Sequence, residues 1–582
     1  MRLLNRLNQF QRLWQPSRGK PQQVTVAEMA SRCFCSERHI RTLLHQLADS
    51  GWLHWQAAPG RGKRGTLQFL TTPDAVRSTL MERVLNKGQQ QNALELAQLA
   101  PDQLRQALQP FLGGQWQNDI PTVRIPYYRP LEPLRPGFLA GRAEQHLTSQ
   151  VFSGLTRFRS DCPLPEGDLA HHWEVTGAGC CYDFWLRPSL WWHNGEKLTA
   201  AHLVASLGQL MQQPAMGQLF ASVSGLEAPA PGLVRIRLHR PDYWLPHRLA
   251  SYCSHLHYPE IAATPGAAGS PGKPAEPHTG CGPFKISLYQ PELVRLELHD
   301  RYHLSHPLIG AVEYWITPQL FDASLGTSCR HPVQIAIGEQ AQLPALQPRD
   351  KRISLGFCYL AIKQDGQLSA RQAQWLMHLI HQSGLLTTLP VEDGLIQPSN
   401  ALLPGWPLPD NRRCEPVALP RALTLLYHLP VELHAMARQL VSYLARYGCT
   451  LTLRFHDAKN WAGCNDMDGA DILMGDRLID DAAEYTLEQW LRCDVLWRAV
   501  FSPGRYREII TRLDAIQQHP DAAQRIQGLK TLYEALMSAS VLTPLFNYHY
   551  QIHAPPNVRG VHINARGWFD FTRLWLPPPE NR

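Results

Sequence analysis

The chain has 582 residues, of which 44% are hydrophobic and 18% charged; that length exceeds a single hydrophobic core and implies roughly three to four compact units. The composition is that of a folded protein and excludes a disordered chain, and the absence of any window of ~18 apolar residues excludes a membrane span. Charge is distributed unevenly: the first 75 residues hold 11 Lys/Arg against four Asp/Glu, and the remaining 507 hold 45 of each. The net charge of +7 therefore sits in one short head, the pattern of a module that meets a polyanion beside a body that does something else.

In chain order, Leu3, Leu7, Phe10 and Trp14 recur at helical spacing and predict a first helix with one buried stripe. Arg2, Arg6 and Arg12 break every apolar run there, so no signal-peptide core of ~7 to 15 residues exists and the expected location is cytoplasmic. Gly19 and Pro21 interrupt the helix, and Thr25 to Glu28 then form a capping box that starts a short second helix ending near Arg32. After the CFC turn, Ser36 is a good N-cap, and Ile40, Leu43, Leu44 and Leu47 give the buried face of a third helix running to about Asp49. Its outward face carries Glu37, Arg38, Arg41, Thr42 and His45.

Two helices joined by a tight turn, the second with an apolar back and a cationic front, fit the major groove. Gly51 ends that helix, and residues 52–55 and 66–69 predict two strands around PGRGKRG, a basic hairpin tip whose glycines let the backbone approach phosphates. This is a winged helix-turn-helix over 1–75 whose expected partner is double-stranded DNA. Ser36, Arg38, His39, Arg41 and Thr42 are expected to read base edges or adjoining phosphates, and Arg61, Lys63 and Arg64 to hold the backbone. Residues 76–118 predict a helical connector ending in FLGGQWQND.

From Thr122 onward strands and helices mix. TVRIPYY is a predicted strand, Arg142 to Leu155 a helix, and YDFWLRPSLWWHNGEKLTAAHLVASL a strand, a turn and a helix capped by Thr199. LVRIRLH alternates as a strand, and the Pro/Gly/Ala-rich stretch 259–277 predicts a flexible surface insertion. Thirteen Cys without a repeating spacing fit reduced thiols.

The segments Leu169 to Trp173, Phe184 to Leu207 and Gly280 to Phe284 resemble, in order and content, the family-5 extracytoplasmic solute-binding proteins of oligopeptide, dipeptide and nickel transport. Cys281 and His202 depart from the usual Thr and acidic residue, and Ala361 to Lys363 stand where an Asn is common. With the head attached, the whole length resembles the SgrR-type transcriptional regulators of enteric bacteria, through CSERHIRTLL, GRGKRG, YYRPLEPL, DLAHHW and RGWFDF.

The resemblance implies a multidomain α/β chain: the head, the connector, and a two-lobed periplasmic-binding-protein-like body (type II, family 5) over 119–582, with lobe I at about 119–330 and 536–582 and lobe II at about 335–535. It implies that the head binds DNA and the body senses a small cytoplasmic metabolite. The ligand is not inherited with the fold, because such pockets change specificity on a constant scaffold. Cleft aromatics desolvate a ligand while a few polar groups orient it, and the candidates are Tyr127, Tyr128 and Arg129, Trp191, Trp192 and His193, and Trp406. In peptide-binding relatives an Asp late in the second lobe meets the ligand's amino terminus, and GDRLIDD brings Asp476 and Arg477 into that neighbourhood. An arginine facing the cleft suits an anion such as a sugar phosphate.

Other chemistry finds little footing. His171-His172, the CSHLH run of Cys253, His255 and His257, and the His549 to His553 cluster lack a second pair that would complete four metal ligands. No phosphate loop, GxSxG elbow or HExxH motif occurs, so neither a cofactor, a metal nor an enzymatic activity is expected. The alternatives are a transport receptor, which requires export, and a protein-protein adaptor whose head docks with little salt dependence.

Overall fold

The computed structural model describes residues 2–60, 62–86, 108, 111–117, 119–159, 162–259, 278–321, 350–382, 384–391, 394–409, 414–555 and 557–579. It divides into two compact units, 1–112 with 316–321, and 113–315 with 322–582. Among the described residues no helix is long and apolar enough to cross a membrane.

In the head, helix Arg2–Trp14 buries Leu7, Phe10 and Leu13, and the Phe10 ring packs against Trp52 at 5.4 Å and Phe69 at 5.9 Å. Leu13, not the expected Trp14, completes the stripe, because Trp14 is only half-buried. Helix Val26–Arg32 starts on the capping box: the Glu28 amide donates to Thr25 Oγ1 at 3.1 Å and the Thr25 amide to Glu28 Oε2 at 2.9 Å. Helix Glu37–Asp49 starts on Ser36, whose Oγ accepts the His39 amide at 3.2 Å, and buries Ile40, Leu43, Leu44 and Leu47. Each such buried aliphatic side chain contributes about 1.5–3 kcal/mol, so this face fixes the helix.

Strands Leu53–Gln56 and Gly65–Phe69 form the antiparallel hairpin, and Gln22–Val24, which the sequence did not single out, adds a third strand on the far side of Gly65–Phe69. Gly65 is required by close approach: a Cβ there would lie 2.5 Å from the Trp55 ring and 2.6 Å from the Gln56 carbonyl.

Among the described residues the body carries three sheets of four or more strands. A five-stranded sheet orders Phe284–Tyr289, Leu293–Leu298, Ala311–Ile316, Ile120–Tyr127 and Gly113–Gln117, and an antiparallel four-stranded sheet orders Val223–Ala230, Leu233–Leu238, Cys181–Leu186 and Ala170–Thr176. Both belong to the first lobe. The second lobe is a six-stranded mixed sheet, Ile396–Pro398, Leu542–Ile552, Asp350–Ile362, Ile472–Arg477, Ala422–His428 and Thr450–His456, in which the last three strands run parallel. Helices Ala483–Cys493, Pro503–Gln517 and Ala522–Ser538 pack on it through Trp490, Leu513, Leu529 and Tyr533.

Three boundaries differ from expectation. Helix Pro73–Asn86 packs back on the head's first helix, where buried Arg77 donates to Gln11 Oε1 at 3.1 Å, so this part of the expected connector is part of the head. The FLGGQWQND segment supplies strand Gly113–Gln117 of the body's first sheet, paired with Ile120–Tyr127, rather than ending a connector. The strand Leu542–Ile552 lies inside the second lobe's sheet, so the chain returns to lobe I after Ile552 and not at 536; its partner strand Asp350–Ile362 lies some 190 residues earlier, a pairing no local pattern reveals. The expected insertion 259–277 falls, apart from Pro259, outside the described residues.

Away from the cleft the lobes meet through a buried charge network. Arg248, with no exposure, forks onto Glu488 with two contacts of 3.0 Å and donates to Asp242 at 2.8 Å. Arg492 reaches the same Glu488 at 2.6 Å and Asp514 at 2.8 Å. Burial alone would raise the Glu488 carboxyl, but the two guanidiniums outweigh it and hold its pKa below the ordinary range.

Candidate functional sites: a basic head and an interlobe cleft

On the head, Ser36, Arg38, His39, Arg41 and Thr42 all lie on the exposed side of the third helix, opposite its four buried aliphatics. The Ser36 hydroxyl is engaged as the N-cap. Arg41 pairs with Glu37 at 3.3 Å and Arg64 with Glu28 at 3.1 Å, both exposed. Such surface pairs are worth about 0–1 kcal/mol, little against what a phosphate offers in exchange. Lys63 is exposed beside Arg64 on the hairpin, where Gly60 and Gly62 take φ of 116° and 79°, while Arg61 lies outside the described residues.

In the body, strand ends converge on a cavity between the lobes. Ile120–Tyr127 delivers Tyr127 and Tyr128, Ala422–His428 delivers His428, and Ile472–Arg477 delivers Asp476 and Arg477. The last two strands are parallel, and ligands of open α/β sheets bind beyond the carboxyl ends of parallel strands. The cavity offers about 260 Å³ to the centre of a water molecule, against roughly 10–15 Å³ for one water by that measure. Tyr252, Tyr359, Trp461 and Trp490 supply aromatic walls, and Arg142, Lys459 and Asp494 join Asp476 and Arg477 as its charges.

Burial pushes the Asp476 carboxyl above its ordinary pKa despite the cations Arg142, Arg477 and Lys459 and the Tyr548 hydroxyl, which donates to it at 2.9 Å. Asp494 is likewise raised by burial, against the Leu496 amide that donates to it at 3.0 Å. His428 is pushed down to about 4 by burial and is neutral. Arg477 faces the Trp490 ring at 5.9 Å and, among the described residues, its side chain makes no ion pair or hydrogen bond, its buried Nε included. Lys459 reaches Tyr128 across the cleft at 3.5 Å. Gly475 leaves room for the wall, since a Cβ there would lie 2.3 Å from His428 Nε2.

Of the cleft candidates, Tyr127, Tyr128, Asp476 and Arg477 meet in this cavity. The others do not line it. Arg129 is committed to Glu144 through two contacts of 2.7 and 2.9 Å. Trp192 is fully buried in the first lobe's core, its Nε1 donating to His202 Nδ1 at 3.2 Å, and His193 is tied to the Gly282 carbonyl at 3.0 Å. Trp191 lies under Arg301 at 4.4 Å. Trp406 packs against Tyr533 at 6.1 Å in the second lobe's core. Sequence reasoning missed Arg142, Lys459, Trp461, Trp490 and Asp494, which carry no motif and meet only through the fold.

Residues 5–119 match the family described as "Sugar transport-related sRNA regulator N-term", and residues 165–324 match "Bacterial extracellular solute-binding proteins, family 5 Middle". The HTH-type transcriptional regulator SgrR of Yersinia pestis (strain Pestoides F) is 30% identical over 98% of both chains. The chain belongs to the SgrR-type HTH transcriptional regulators. The SgrR of Escherichia coli (strain K12) is 29% identical over 98% of both chains, and the uncharacterized protein YbaE of the same strain is 58% identical over the full length of both.

This SgrR-type chain therefore joins an HTH head to a family-5 solute-binding body. NikA from Brucella suis, solved with Fe(III)-EDTA, covers 78% of the chain and all of its own length with a TM-score of 0.62 at 17% identity. The dipeptide binding protein of Pseudoalteromonas sp. SM9913, solved with Met-Leu, gives 0.61 at 15% identity over 78% of this chain and 100% of its own. At these identities the likeness is one of fold, and it extends the solute-binding architecture across the body.

Proposed function

We propose that this regulator acts in the cytoplasm as a one-component factor whose head grips duplex DNA while its cleft senses a small anionic metabolite of the sugar-phosphate or acidic peptide-like class. In this reading the outward side chains of the third helix read base edges or adjoining phosphates, and Arg61, Lys63 and Arg64 hold the backbone. The twelve described cysteines are all free thiols, which suits a reducing compartment. Ligand closes the lobes only to the extent that it prefers the closed state.

The observation that carries the ligand class is Arg477: a guanidinium turned to the cleft with no carboxylate bonded to it among the described residues, backed by Arg142 and Lys459. Three cations face two carboxylates, both with pKa raised by burial, so an anion is favoured.

The test is thermal unfolding of the full chain against sugar phosphates and acidic dipeptides. A specific ligand at 100 times its Kd adds about 2.7 kcal/mol, and Arg477→Ala removes that gain. An anion that stabilises the wild type and the variant alike, or no response from any anion, overturns the reading.

A further inference from the structure

Behind the ligand cleft, across the Tyr252 ring that walls both, lies a second cavity offering about 170 Å³ to the centre of a water molecule. It is formed by the helix Arg142–Val151, the segments around Asp168 and His255, the stretch just after strand Ile472–Arg477, and the chain's final return to lobe I. Four carboxylates, Asp168, Asp480, Asp481 and Asp570, face it against two guanidiniums, Arg157 and Arg566. Both guanidiniums are already committed, Arg566 as a fork on Asp480 and Arg157 on Glu166 at 2.7 Å.

One polar side chain on its wall is more than nine-tenths buried and holds an unused acceptor: Gln150 is 6% exposed and, among the described residues, its Oε1 has no hydrogen-bond partner. His255 Nδ1 lies 3.5 Å from the Thr148 carbonyl, the Ala250 carbonyl also meets the ring, and burial lowers its pKa. A buried acceptor without a donor costs about as much as a lost hydrogen bond, so Gln150 Oε1 is open to a donor supplied by a ligand. Among the described residues no three His, Cys, Asp or Glu side chains come together as a metal-holding group.

We propose that this rear cavity is a second ligand site, taking a small organic cation that presents a primary amine to Gln150 Oε1 and the carboxylates. The cavity adjoins the place where Arg566 of lobe I is clamped to Asp480, three residues beyond the Arg477 that faces the main cleft.

The test is calorimetric titration of the full chain with 1,4-diaminobutane, with 1,4-butanediol as the neutral match. The expected result is saturable binding of the diamine alone. Gln150→Leu weakens it about tenfold or more, the size expected when a hydrogen bond to a charged group is lost; Gln150→Glu, which adds a carboxylate while keeping the length, tightens it. Asp476→Asn in the front cleft leaves it within about twofold, inside the usual additivity of separate sites. The proposal is overturned if the wild type does not bind the diamine, if the diol binds equally, if Gln150→Glu fails to tighten binding, or if Asp476→Asn and not the Gln150 variants abolishes it.

Discussion

The head and the body use arginine in opposite ways. On the head, Arg41 and Arg64 keep 62% and 64% of their side-chain surface in water and hold only single, solvated contacts to Glu37 and Glu28. In the body, Arg248 and Arg492 keep 0% and 2% and are forked into Glu488, Asp242 and Asp514. The first arrangement leaves charge available to a partner and contributes little to folding; the second consumes its charge in holding lobes together. Arg477 belongs to neither class, being half-buried and, among the described residues, unpaired at the cleft, which is why the proposed ligand class rests on it.

Arg248→Ala breaks this contrast most severely. Removing one partner of a buried pair leaves the other charge uncompensated and costs about 3–5 kcal/mol, whereas Arg41→Ala on the head falls within about 0.5 kcal/mol. Urea unfolding of both variants measures the difference; equal losses would dissolve the distinction.

The capping box is the next largest effect. Thr25→Ala removes the acceptor of the Glu28 amide and costs about 0.5–2 kcal/mol, read as an earlier transition of the head in thermal unfolding followed by circular dichroism.

A smaller effect separates the carboxylates by pH. Glu488 has a lowered pKa in the folded state, so its contribution is present at neutral pH and lost as pH falls through that value. Asp476 has a raised one: the folded state holds the proton longer than the unfolded chain does, so stability declines as pH rises through the range just above an ordinary Asp. Asp476→Asn removes that decline and makes thermal stability flatter through that same range; an unchanged profile would contradict the raised pKa.

Much of the head was legible because its determinants are local. A hydroxyl three residues from a carboxylate, or four aliphatics at helical spacing, specify a cap or a buried face within one turn or two. The third strand Gln22–Val24 was not, since three residues with one buried side chain carry no period and are fixed only by pairing with Gly65–Leu67. In the cleft the sequence found Tyr127, Tyr128, Asp476 and Arg477, each at the end of a strand. It misplaced Trp192 and Trp406 because a tryptophan's size suits a core as well as a binding wall, and only tertiary neighbours, here His202 and Tyr533, decide between them. Trp461, Trp490 and Asp494 come to the cavity from loops and a helix that nothing local points inward.

The most direct test of the account is the affinity of the full chain for duplex DNA as a function of salt. A head that grips phosphates predicts that log K falls linearly and steeply with log salt, and that Lys63→Ala with Arg64→Ala flattens the slope by about one unit for each phosphate no longer neutralised, while leaving the fold intact. Binding that ignores salt, or a slope unchanged in that double variant, would contradict it.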